Sequence, residues 1–164
     1  MFRDILVAID GSPHAARALV EAVDLAERDN ARLTIMTTVP DPSAWLLTGA
    51  AYGGSIDYVA LNEETEREYQ KLLDEAVSQV PQGVSATTRL VHGRPGDRIL
   101  EQMEEGGHDL VVMGSRGRGN VSSLVLGSVS HQVLNAGPAA VLIVHAGGDE
   151  HGSTIDAQTD AGLD

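Results

Sequence analysis

The chain has 164 residues, 24 acidic and 11 basic, for a formal net charge of −13, and it has no cysteine. The length predicts one domain with a proper core. The acid excess disfavours nucleic acid and anionic membranes as partners, and the missing thiols exclude disulfides, thiolate catalysis and zinc–thiolate centres. Lys71 is the only lysine, and carboxylates this dense predict a halophilic, cytoplasmic protein whose self-repulsion is screened by salt. A GC-rich genome would explain the scarce lysine but not the acid excess.

Met1, Phe2, Arg3 and Asp4 lead straight into the apolar run Ile5 to Ile9. No signal peptide is therefore expected, and no apolar run approaches the ~20 residues that span a bilayer. An unbroken run of this length reads as a strand covered on both faces. Asp10 ends it, and Gly11, Ser12 and Pro13 supply a turn, a cap and a first-turn proline for a helix. Ala15, Ala18, Leu19, Ala22, Val23 and Ala26 recur at helical spacing as its buried stripe. Leu33, Ile35, Thr37 and Val39 alternate through a second strand that ends at Pro40.

Residues 41–57 show no period and read as a long functional or mobile loop. A helix to about Val80 follows, with Tyr69, Leu72, Leu73, Ala76, Val77 and Val80 on its apolar face. Val84 to Val91 is the third strand, and Pro95 opens a helix carrying Ile99, Leu100 and Met103 that Gly106 and Gly107 end. Leu110 to Met113 and Ala139 to Val144 are two further strands, with a helix to about Asn135 between them. This βαβαβαβαβ alternation predicts an α/β fold, a parallel sheet with helices on both faces. The domain is expected to span residues 1–146; the stretch 147–164 holds five acidic residues and no Lys or Arg, which predicts a disordered tail.

The chemistry gathers in the stretch Asp109 to Ser130. After the buried strand, Gly114, Gly117 and Gly119 allow close approach of backbone to a ligand, while Ser115, Arg116, Arg118 and Asn120 supply donors. After Gly127 come Ser128, Val129 and Ser130, where a helix capped by Ser128 would bring free backbone N–H groups onto one anion. Together these form a phosphate cradle. It lacks the lysine of a Walker A loop, and it follows a late strand rather than the first, as a dinucleotide fingerprint would.

The spacing Gly114, two residues, Gly117, nine residues, Gly127, Ser128 resembles the nucleotide-binding signature of the universal stress protein family, in its ATP-binding, glycine-signature branch. The resemblance covers about residues 3–145 and implies a five-stranded Rossmann-like sheet of order 3-2-1-4-5, with strands 1 and 4 adjacent at the switch point. It implies ATP, with magnesium, as ligand. Phosphates would lie against Gly114 to Asn120 and Gly127 to Ser130, with Ser128 as hydroxyl donor and Arg116 and Arg118 adding charge. Asp10 would serve the ribose or the metal ion, and the main chain at Ala8 and at Thr38 or Val39 would frame the adenine. Two departures from the family pattern are Gly137-Pro138-Ala139 before strand 5 and Pro40 after strand 2.

No catalytic grouping of Ser, His and Asp, no base for water and no second acidic metal ligand stands out. His14, His145 and His151 lack ligand spacing, and His92 and His131 read as surface residues. A phosphoacceptor receiver domain is disfavoured because His92 and Gly93 stand where its Asp would end strand 3. Three functions stay open: a regulatory nucleotide sensor with little turnover, a slow ATP hydrolase or nucleotidyl-transfer enzyme, and a structural dimer with an empty site. The apolar edge Ala140 to Val144 predicts a homodimer through strand 5.

Overall fold

The computed structural model describes residues 1–40, 58–118 and 126–146, with side chains of the second helix from residue 61 onward. The expected loop 41–57, Gly119 and Asn120 of the cradle, and the tail 147–164 lie outside the described residues. In chain order the elements are β1 (Asp4–Ala8), α1 (Pro13–Asp29), β2 (Arg32–Val39), α2 (Tyr58–Ser78), β3 (Ala86–His92), α3 (Pro95–Gly106), β4 (Leu110–Gly114), α4 (Ser128–Ala136) and β5 (Ala140–Val144). The five strands form one parallel sheet in the order β3-β2-β1-β4-β5.

Residue alternation along each strand divides the core between the two faces. Ile5, Val7, Leu33, Ile35, Leu110 and Val112 project to one side, where Ala18, Leu19 and Ala22 of α1 and Leu73 and Ala76 of α2 cover them. Leu6, Met36, Val111 and Met113 project to the other, under Ile99 and Met103 of α3 and Val133 of α4. β1 and β4 are central and buried on both faces, which is why their sequences are continuous apolar runs rather than alternating ones. Leu73 is 1% exposed, and Leu73→Ala would cost about 2–5 kcal/mol through the cavity it leaves.

The helix boundaries follow local chemistry. Ser12 caps α1, its hydroxyl accepting from Ala15 N–H at 3.2 Å with Pro13 as first helical residue. Gly107, at φ 61°, ends α3 and donates to the Met103 carbonyl. Three expectations need correction. β3 starts at Ala86 rather than Val84 and includes His92, because Gly93 N–H still pairs with Val39 O at 3.0 Å. Val77 is 39% exposed and drops out of the apolar face of α2, where Tyr69, Leu73 and Ala76 are buried and Leu72 packs partly buried beside them. Ser128 is not the cap of α4: Gly127 occupies that position and Ser128 is the exposed first helical residue. The first intrahelical bond runs from His131 N–H to Gly127 O at 2.9 Å, which fixes the cap one residue earlier than the hydroxyl suggested.

Among the described residues, no helix is long and apolar enough to cross a membrane.

Candidate functional site

Because β1 lies between β2 and β4, the chain leaves the sheet in opposite directions on either side of the β1/β4 boundary, and a crevice opens at the carboxyl ends of these strands. It encloses about 430 Å³, within the ordinary range for small-molecule sites. Its apolar wall comes from Ala8, Met36, Ile99, Met113 and Val129. Such a wall suits a flat, weakly polar group such as a nucleobase.

Another part of the lining is glycine and backbone. Gly114, Gly117 and Gly127 all line the crevice, and each lacks a side chain for a definite reason. A Cβ on Gly114 would meet the backbone carbon of His14 at 2.8 Å, and one on Gly117 would meet Asp10 Oδ2 at 2.7 Å. A Cβ on Gly127 would stand 3.2 Å from Ser115 O. The loops after β1 and β4 therefore interlock, and the glycines let them do so. Gly127 N–H bonds Ser115 O at 2.8 Å, and Ser130 Oγ donates to Gly114 O at 2.8 Å, so the start of α4 is fastened to the end of β4. Ser128, Val129 and Ser130 precede the first intrahelical bond and line the crevice with the positive end of the helix.

Ala8, Asp10, Thr38 and Arg116 also line it. The Asp10 carboxylate accepts from Ser12 N–H at 2.9 Å through Oδ1 and from Arg118 N–H at 3.0 Å through Oδ2. It thus ties the two loops together as well as facing the crevice. Arg116 is half-buried at the rim.

Three residues named from the sequence lie elsewhere than in the lining. Ser115 is 1% exposed behind the rim, and its hydroxyl lies 3.1 Å from His14 Nδ1. Val39 is 5% exposed, its carbonyl taken by Gly93 N–H. Arg118 turns its guanidinium away from the crevice: Nε donates to the Asp10 carbonyl, Nη2 meets Glu68 Oε1 at 3.1 Å, and the group lies 5.0 Å over the Tyr69 ring.

His14 was missed by sequence reasoning because it sits on no motif. Its Nδ1 accepts from Ala146 N–H at 2.8 Å as well as facing Ser115, so it joins the start of α1 to the ends of β4 and β5. Its place one residue after the first-turn proline Pro13 was the only signal available in the sequence; its closeness to Gly114 exists only in the fold. His92 is half-exposed at the end of β3, 3.8 Å from Glu66, and His131 is exposed on α4 beside Asn135. Among the described residues, no group of three or more His, Asp or Glu side chains is arranged to hold a metal ion.

A glycine-fastened helix start beside an apolar crevice at the switch point is the arrangement to which known proteins can be compared. The model of the universal stress protein family matches residues 1–145. The chain belongs to the universal stress protein family. It is 37% identical over 147 residues to universal stress protein YxiE of Bacillus subtilis, an alignment covering 88% of this chain and 99% of that relative. Universal stress protein UspA from Lactobacillus plantarum has the same fold, with a TM-score of 0.69 at 25% identity over 87% of this chain and 97% of the other. A universal stress protein solved in complex with cAMP superposes with a TM-score of 0.58 at 27% identity, covering 89% of this chain and 98% of that one.

Proposed function

We propose that this universal stress protein binds ATP in the crevice and acts as a regulatory nucleotide sensor with little or no turnover. The observation that carries the reading is the junction of Gly114, Gly117 and Gly127 with the first turn of α4, in one crevice with an apolar wall. Such a rim favours phosphate through unpaired helix N–H groups and the helix dipole, and such a wall favours a base. The family member solved with cAMP supports an adenine ligand.

The residues proposed to hold the nucleotide are those at the rim: Gly114, Arg116, Gly117 and Gly127 to Ser130 toward the phosphates, with Ala8 and Thr38 toward the base. Asp10 is the proposed contact to ribose or to a magnesium ion. Its carboxylate already accepts two backbone N–H bonds, so it can offer the metal one ligand, and the phosphates themselves would supply others. The low-turnover part of the reading rests on the make-up of the described rim, which is glycine, backbone, serine and Arg116, with the Asp10 carboxylate already bonded to both loops.

A homodimer through β5 belongs to the same proposal, supported by the exposed Leu142 on this edge strand. Residues 1–146 are proposed to be the functional unit. The test is calorimetric titration of ATP, with and without magnesium, into the full chain, with phosphate release measured in parallel. Micromolar binding without steady release is expected. Brisk release would favour the slow hydrolase instead, and absence of binding would leave the structural dimer.

A further inference from the structure

Arg118 is held at both ends by different parts of the fold. Its backbone N–H is fixed to Asp10 Oδ2 at 3.0 Å, which places its Cα at the rim beside Gly117. Its side chain leaves in the other direction, donating through Nε to the Asp10 carbonyl and meeting Glu68 and the Tyr69 ring on α2. One residue thus joins the loops after β1 and β4 to a helix that otherwise packs on β2 and β3.

The two contacts on α2 differ in character. Tyr69 is 7% exposed and belongs to the apolar face of its helix. The ion pair is open to water, with side-chain exposures of 46% for Arg118 and 63% for Glu68, so it is weak and readily exchanged. A guanidinium presents the same planar fork to a phosphate as to a carboxylate, and a terminal phosphate carries more charge. Arg118 does not line the crevice, whereas its neighbour Gly117 does. A ligand must therefore reach beyond the lining residues to meet the guanidinium, which stands at the Asp10 carbonyl and over Gly11.

We propose that Arg118 is a competition switch: the terminal phosphate of a bound nucleoside di- or triphosphate draws its guanidinium from Glu68 and Tyr69, releasing α2 from the rim, while a monophosphate leaves the clasp closed. This rests on the nucleotide-binding reading above and adds to it the output by which occupancy is reported. Reciprocity follows from linkage. If polyphosphate weakens the Arg118–Glu68 contact, then removing that contact strengthens polyphosphate binding by the same factor.

The test titrates ATP and AMP, at one fixed ionic strength, into the wild type, Glu68→Gln, Arg118→Gln and the double variant, with amide exchange of residues 63–73 followed in each. Glu68→Gln is expected to tighten ATP about two- to five-fold, the worth of one exposed pair, and to leave AMP unchanged. Arg118→Gln is expected to weaken ATP about ten-fold or more, the loss of a charged contact to phosphate, and to cancel the effect of Glu68→Gln. ATP, but not AMP, is expected to speed exchange in α2 of the wild type. Equal shifts of ATP and AMP in Glu68→Gln, or α2 exchange that ATP leaves unchanged or slows, would overturn the switch while leaving nucleotide binding intact. Failure of both nucleotides to bind would overturn both. Glu68 is exposed, so its variant and the wild-type exchange data decide the matter even if Arg118→Gln does not fold.

Discussion

His14 and Ser115, 101 positions apart in the chain, meet with Ser115 Oγ 3.1 Å from His14 Nδ1. The same nitrogen accepts from Ala146 N–H at 2.8 Å, so Nδ1 is an acceptor and the Ser115 hydroxyl faces it as donor. A single imidazole therefore braces the back of the glycine rim against the end of the edge strand. His14→Leu would leave a buried hydroxyl and a backbone N–H without this partner, and a loss of about 1–3 kcal/mol is expected. Urea unfolding of the two proteins measures it; a difference under about 0.5 kcal/mol would show that the brace contributes nothing.

The rim glycines separate space from backbone strain. Gly127 has φ −60°, a conformation open to any residue, so substitution there acts only through the space that a side chain fills. Gly127→Trp is expected to abolish ATP binding with the far-UV circular dichroism unchanged. Gly117→Ala is expected to weaken binding by displacing the Asp10 carboxylate, which stands 2.7 Å from the new Cβ. Undiminished affinity in Gly127→Trp would refute the assignment of the crevice.

A second histidine governs pH dependence. His108 is 8% exposed and its Nδ1 is buried without a hydrogen-bond partner among the described residues. Burial holds its pKa below the ordinary 6.5, and Arg32 adds to this, while the carboxylates of Asp4 and Asp109 oppose it. The unfolded chain therefore takes up a proton that the folded chain resists. Stability from this residue is full above pH 6.5 and is lost as pH falls from there toward the folded value. Asp29, lowered from 3.8 mainly by the Phe2 N–H, adds its own loss only below that pH. Urea midpoints between pH 8 and 5 are expected to fall in the wild type and to flatten in His108→Leu; equal slopes would exclude His108 as the cause.

Net charge sets the response to salt. At −13, the folded surface repels itself in dilute buffer, and screening should relieve this. The melting temperature is expected to rise steadily into molar KCl. A flat or falling curve would remove the halophilic reading.

Leu142→Asp, a change at an exposed position of β5, is expected to convert a dimer into monomer in light scattering. A monomeric wild type at every salt concentration would contradict pairing through this edge.

What the sequence determined by itself was set by near neighbours, although Gly127 rather than Ser128 caps α4 and β3 starts two residues later than its pattern suggests. The apolar runs of β1 and β4, the stripe of α1, the Ser12 and Pro13 start and the Gly107 stop are patterns of spacing within a few residues, and each appears where its spacing predicts. The glycine spacing identified the family and, through it, the strand order. Tertiary structure alone decided which way side chains point once the chain leaves the sheet. Ser115 and Arg118 read alike as phosphate donors, yet one hydroxyl is turned back to His14 and one guanidinium is turned out to α2. Their partners lie 101 and 50 positions away, and contacts at that separation exist only after the sheet has brought the ends of β1, β4 and β5 and the face of α2 together.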